Sequence, residues 1–192
     1  MTAKDIITLP DERLRTKSRR IGAVSAEAQA IAEGMIEATL EWEAGREHEF
    51  GAALAAVQVG LLERIIVVRH DFDNKADKSF GVFINPEIVK TDGELEEDLE
   101  GCLSVKDIYG SVKRYTKVKI KAINLEGKPV RLTATGFLAR VFQHEIDHTN
   151  GIVFVDRVND PHNLYRLEAD GKFSPLPPPE AAKAIASRGE TH

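Results

Sequence analysis

Between Ser25 and about Glu43 the positions Ile31, Met35, Thr39 and Trp42 fall on one side of a helical repeat, and Ser25 stands where a cap belongs. That spacing predicts an amphipathic helix whose stripe is core. Ile65 to Val68 and Phe80 to Ile84 read as two buried strands joined by the charged loop Asp71 to Lys78. Val118, Ile120 and Ala122 alternate with lysines, and Glu126-Gly127 turns the chain into Val130 and Leu132, a hairpin with one wet face. Phe137, Leu138, Val141 and Phe142 then lead into a helix expected to be central and largely buried. Ile152 to Val155 is a strand-like run, and Asn159-Asp160-Pro161 a turn. No repeat and no second core are visible. The pattern divides the chain into one domain, 1–163, and a Pro/Ala-rich tail, 164–192. The tail carries Pro175-Leu176-Pro177-Pro178-Pro179 and a short helix candidate, Glu180 to Ala186, which reads as a docking arm or a frayed end.

Composition narrows the class. The 192 residues are 42% hydrophobic and 30% charged, which suits one soluble domain with an ordinary core. A single cysteine excludes an internal disulfide framework and suits a reducing compartment. No leader pattern and no membrane-length apolar run are visible, so a cytoplasmic protein without a membrane partner is expected. The net charge of -5 argues against DNA or broad nucleic-acid binding. The basic clusters Arg13 to Arg20 and Lys113 to Lys121 leave room for ribosomal RNA, although alternating lysines usually form a solvated strand face.

The chemistry starts at Gln143-His144-Glu145-Ile146-Asp147-His148. Residues four apart share a helix face, so His144 and His148 can reach one ion while Glu145 reaches a water beside it. A catalytic metal takes a third protein ligand. Gly151 falls in register with the metzincin pattern, but its third histidine position is Phe154, which cannot ligate. Glu168 is a thermolysin-like candidate, weakened by the strand-like run and turn that precede it. Cys102, within Glu100-Gly101-Cys102-Leu103-Ser104, is the third candidate. His48, His70, His162 and His192 read as surface residues, and Glu94, Glu96, Glu97 and Asp98 as a solvated acidic run.

Three ordered blocks, Gly51-Ala52-Ala53-Leu54-Ala55-Ala56-Val57-Gln58, Glu100 to Ser104 and Gln143 to His148, together resemble the peptide deformylase family. Leu9-Pro10-Asp11, Asn85-Pro86-Glu87 and Gly151-Ile152-Val153-Phe154 agree as flanks, and the resemblance covers about residues 5 to 158. It implies an α+β fold, mostly antiparallel strands wrapped around a central metal-binding helix. The implied enzyme is a metallohydrolase acting on a linear amide other than a peptide bond. It removes the N-formyl group from the formylmethionine of nascent polypeptides and releases formate, with the ribosome near its exit tunnel as a further partner.

The same resemblance makes Cys102, His144 and His148 the metal ligands. By ligand type the set suits zinc or ferrous iron; the family points to Fe(2+), with Zn(2+), Ni(2+) and Co(2+) as other ions for the position. Such an ion lowers the pKa of water to about 7. Glu145 becomes general base and acid, and Gln58 and the Leu103 backbone N–H oxyanion donors. Glu100 and Asp147 are candidates for carboxylates behind the histidines. Gly51, Ala52, Ala53, Tyr109, Phe137 and Val141 match substrate-binding positions, with Phe137 and Val141 equally readable as helix core. The peptide is expected to lie extended near Ala52 and Ala53.

Ala53 stands where the family has a second glycine, Val57 where proline or threonine is usual, Lys106 where proline is usual, and Thr149 where leucine is usual. The loop Gly45 to Phe50 is longer than the usual connection. A glycine at 53 would allow φ > 0 or a close approach of the peptide backbone, so Ala53 is expected to obstruct one or the other. Three rival readings stand beside the first: a metal amidase acting on other formylated amines, a thermolysin-like peptidase using Glu168, and a non-enzymatic metal-stabilised binding module.

Overall fold

The computed structural model describes residues 1–186. The first long helix, α1 (Ala26–Ala44), is capped as expected, the Ser25 hydroxyl accepting the Ala28 N–H, and it buries Ile31, Met35 and Thr39. Strands β1 (Ala53–Ala55), β2 (Ile65–Arg69), β3 (Phe80–Cys102), β4 (Val105–Ile123), β5 (Pro129–Thr135), β6 (Leu164–Leu167) and β7 (Phe173–Pro175) form one antiparallel sheet. Its order is β1-β2-β3-β4-β6-β7, with β5 paired to the other half of β4. Helix α2 (Gly136–Thr149) packs against this sheet, and α3 (Pro178–Ala186) follows β7.

Strand β2 explains how the layers are ordered. Ile66 and Val68 face the cluster shared with Phe142 and Ile146 of α2, whereas Ile65 and Val67 face the cluster shared with Ile31 and Met35 of α1. A strand covered on both faces needs a continuous apolar run, and Ile65-Ile66-Val67-Val68 is one. A third cluster joins Leu14, Val153, Phe154, Val158 and Leu164 to Leu176 and Ala181 from the tail.

Three expectations need correction. Strand β3 does not stop near Ile84 but continues through the acidic run to Cys102. Glu94, Glu96, Glu97 and Asp98 are exposed, as expected, yet they lie on a strand. Among them Glu97 has an opposite charge across the ladder, Lys113, at 3.6 Å, which supports pairing despite poor strand propensity. Ile152 to Val155 is not a strand. It is an extended turn and a 3-10 helix, Phe154–Arg157, buried among the third cluster, and Asp156 accepts the Val153 N–H. Phe137 is not core, because at the first turn of α2 it is 47% exposed.

Two glycines carry specific geometry. Gly151 (φ +76) ends α2: its N–H reaches the His148 carbonyl while Ile152 reaches that of Asp147, and a Cβ would strike the Arg15 carbonyl at 2.5 Å. Its metzincin register is therefore a helix stop. At Gly51 a Cβ would lie 2.2 Å from the Thr39 methyl, so glycine lets the chain cross α1 closely. Ala53 is in extended β1 and is absent from the positive-φ positions, so it has no left-handed conformation to strain. No helix among the described residues is long and apolar enough to cross a membrane.

Candidate metal centre

From Ala139 to Thr149 helix α2 is buried at every position, although seven of those positions are polar. Buried polar groups require partners, so this helix carries either a costly defect or a site. The partners come from the β3–β4 hairpin. Cys102 closes β3, pairs with Val105, and leaves Leu103-Ser104 as the two-residue tip. That tip brings the sulfur to the histidines.

Cys102 Sγ lies 3.2 Å from His148 Nε2, which lies 3.2 Å from His144 Nε2, and all three donors fall within 4.8 Å of one another. Bonds of about 2.0 Å to nitrogen and 2.3 Å to sulfur would put tetrahedral neighbours roughly 3.3 to 3.5 Å apart. The donor set therefore fits one metal ion. His144 Nδ1 is 2.9 Å from Glu100 Oε2; with that nitrogen protonated, Nε2 presents its lone pair to the centre. Burial opposes a proton on His144, but the Cys102 sulfur and the Glu100 carboxylate outweigh it and raise its pKa, so the spot favours positive charge. Burial pushes His148 well below its ordinary value and keeps it a neutral donor. The sulfur also receives the Ser104 N–H and the Gln58 amide, each at 3.4 Å.

Glu100 is held from behind. Arg114 grips it with two bonds of 2.8 and 2.9 Å, and Arg140 adds a third at 2.9 Å. Burial resists its ionisation, yet Arg114 and His144 hold the carboxyl below the usual range. Among the described residues Asp147 meets no histidine; it takes Arg114 and Arg157 and so braces the arginine that braces Glu100. Gln143 ties α2 to β4 through both atoms of its amide, at Tyr115 N and Tyr115 O.

Glu145 is buried beside the centre, and its Oε2 finds no hydrogen-bond partner among the described residues. Burial pushes its carboxyl up to about 7, which suits a group that exchanges protons near neutrality. Gln58, in the 3-10 turn Ala56–Val59, is 1% exposed. Its Oε1 accepts the Ala55 N–H at 2.9 Å, which turns Nε2 towards Ser104 Oγ and Cys102 Sγ.

These groups open onto a cavity of about 310 Å³. Gln58, Leu103, His144 and Glu145 line it, as do Ala52, Ala53, Tyr109, Phe137 and Val141. Gly51 is not in its wall: its N–H goes to Glu43 and its carbonyl to Arg69. Glu168 is exposed on the β6–β7 hairpin, where it accepts from Ser174, and so plays no part in the centre. Phe154 stacks on the His144 ring with centroids 6.1 Å apart. His48, His70 and His162 are exposed, although His48 also reaches the cavity rim; His192 lies outside the described residues.

Sequence reasoning missed Arg140, Phe173 and the bracing role of Arg114. Two of these had a signal. Arg114 shares strand parity with the buried Val112, Val118, Ile120 and Ala122, whereas Lys113, Lys119 and Lys121 point to solvent. Arg140 stands four residues before His144 on the same helix face. Phe173 had none, since a long-range packing choice places it.

The family model described as polypeptide deformylase matches residues 3–163. A peptide deformylase from Thermomicrobium roseum is 44% identical over 167 residues, 85% of this chain and 90% of its own. Among solved structures, a peptide deformylase from Legionella pneumophila aligns with TM-score 0.71 at 35% identity, covering 95% of this chain and 90% of that one. A class I type b peptide deformylase from Acinetobacter baumannii, with Met-Ala-Ser bound, aligns with TM-score 0.71 at 32% identity, covering 80% and 96%.

Proposed function

Because this chain belongs to the polypeptide deformylase family, we propose that Cys102, His144 and His148 hold one divalent metal ion for hydrolysis of an N-formyl amide, with Glu145 moving the proton. The reaction is removal of the N-formyl group from nascent peptides. The observation that supports this set of roles is the clustering of the three donor atoms next to a buried, unpartnered carboxylate oxygen.

When bound, the ion supplies Lewis acidity, making water more acidic and the formyl carbonyl more electrophilic. Glu145 accepts the proton of the attacking water and returns it to the amine nitrogen as the C–N bond breaks, leaving formate and a free amino terminus. Gln58 Nε2 and the Leu103 N–H stabilise the developing negative oxygen. The 3.4 Å donation from Gln58 to sulfur is the weaker of its two bonds and the one substrate can replace. Ala52, Val141 and Phe137 receive the methionine side chain, and Met-Ala-Ser in the Acinetobacter relative is a peptide of the class expected as product. Gly51 acts through the backbone path it allows past Thr39 rather than by touching substrate. The native ion is ferrous iron, the setting is cytoplasmic, and the ribosome near its exit tunnel is a further partner.

Metal analysis and a deformylase assay on the same anaerobically purified sample test this reading. Cys102→Ala, His144→Ala and His148→Ala should each lose stoichiometric metal. Glu145→Gln should keep metal and lose most activity. Full metal content in any of the first three variants removes that residue from the centre; retained activity in the fourth refutes the proton route.

A further inference from the structure

The segment beyond the family match reaches the cavity. Strand β6 pairs with β4 at Ile108 to Gly110, and the turn at Gly171 returns the chain so that Phe173 packs on Tyr109 with ring centroids 4.9 Å apart. Gly171 sits under His48 of the Gly45 to Phe50 loop, where a Cβ would come within 2.9 Å of the His48 ring. From that loop Glu49 accepts the Tyr109 hydroxyl at 2.8 Å, and Arg46 joins Glu49 to Asp107. Loop, strand and tail thus lock into one rim.

Exposure grades across the cavity. Gln58, His144 and Glu145 are buried at its base, whereas Phe173 is 45% exposed at its edge. The formyl group belongs at the base and the methionine beside it. Each later residue of an extended peptide advances about 3.3 Å, so later residues meet the rim. Both oxygens of Glu49 are already engaged, which leaves Phe173 offering an apolar ring held in place by its neighbours. A preorganised aromatic surface gains contact at little ordering cost.

We infer that Phe173, seated on Tyr109, is a specificity-determining residue that contacts apolar side chains following the formylmethionine. The tail hairpin therefore sorts substrates by residues beyond the first. This inference rests on the site roles proposed above. Steady-state kinetics on formyl-Met amide, formyl-Met-Gly-Gly and formyl-Met-Leu-Leu separate the two. Phe173→Ala should raise KM for the Leu-Leu peptide roughly fivefold at constant kcat and leave the other two substrates unchanged. Phe173→Leu, which keeps an apolar surface on Tyr109, should fall between and holds the test open if the alanine variant folds poorly. Equal changes on all three substrates, or none in either variant, overturn the inference while wild-type turnover of formyl-Met amide still stands. Absence of that wild-type turnover overturns both.

Discussion

The methyl group of Ala53 belongs at once to the cavity wall and to the cluster beneath α2. Because its backbone is extended, glycine here would relieve no strain and would free the unfolded chain. Ala53→Gly is expected to lower stability by about 0.5 to 1 kcal/mol and leave KM unchanged. A lower KM without a change in melting temperature would show that the methyl blocks substrate backbone. At Glu145 the sign of the pH response follows from role: the carboxylate must be ionised to take a proton, so kcat/KM should fall on the acid side. Burial raises its value to about 7 against the pull of His144 and Arg114, so the limb should lie near that pH. A flat profile from about pH 5 to 8 would contradict the assignment. The histidines and Glu145 were legible because their types and spacing are local, whereas Cys102 was one of three candidates until the resemblance singled it out. The extended backbone at Ala53 was not legible, since pairing with Val68 across the sheet decides it.

Helix α2 and the β3–β4 hairpin are joined by charge as much as by apolar packing. Arg114 contacts both Glu100 and Asp147, one carboxylate from each element. Arg114→Met should cost about 3 to 5 kcal/mol by denaturant titration, because it leaves two buried carboxylates under-compensated. The pH dependence follows from Glu100, whose folded pKa lies below the ordinary value near 4.5. Its stabilising contribution is complete above that value and is lost as pH falls towards the depressed one. The variant should therefore lose stability less steeply with acid than the parent, and an unchanged acid slope would place the effect elsewhere. Helix α1 and the alternating β4 were readable from period alone. The length of β3 was not, since a cross-strand partner such as Lys113 sustains pairing that the acidic run does not announce. Neither was the turn at Ile152 to Val155, because a short apolar run fits any buried backbone.

Across the whole molecule the α+β class and the antiparallel sheet were implied by the family resemblance that the ordered motifs carry. The place of residues 164–186 was not, as Leu164, Leu176 and Ala181 reveal their burial only against Leu14 and Val158. Cys102 comes from the end of a hairpin strand, and His144 and His148 from a helix far along the chain. No fragment of the chain holds the three donors at 3.2 Å spacing, so the affinity for an ion exists only where the sheet and α2 have already met. Ion uptake is then linked to folding, and free metal at about 100 times its Kd adds about 2.7 kcal/mol to stability. Titrating a chelator should lower the melting temperature of the parent in a single transition and leave that of Cys102→Ala unmoved; equal shifts in both would break the linkage. A bound ion thereby stabilises only those chains whose distant segments have already met.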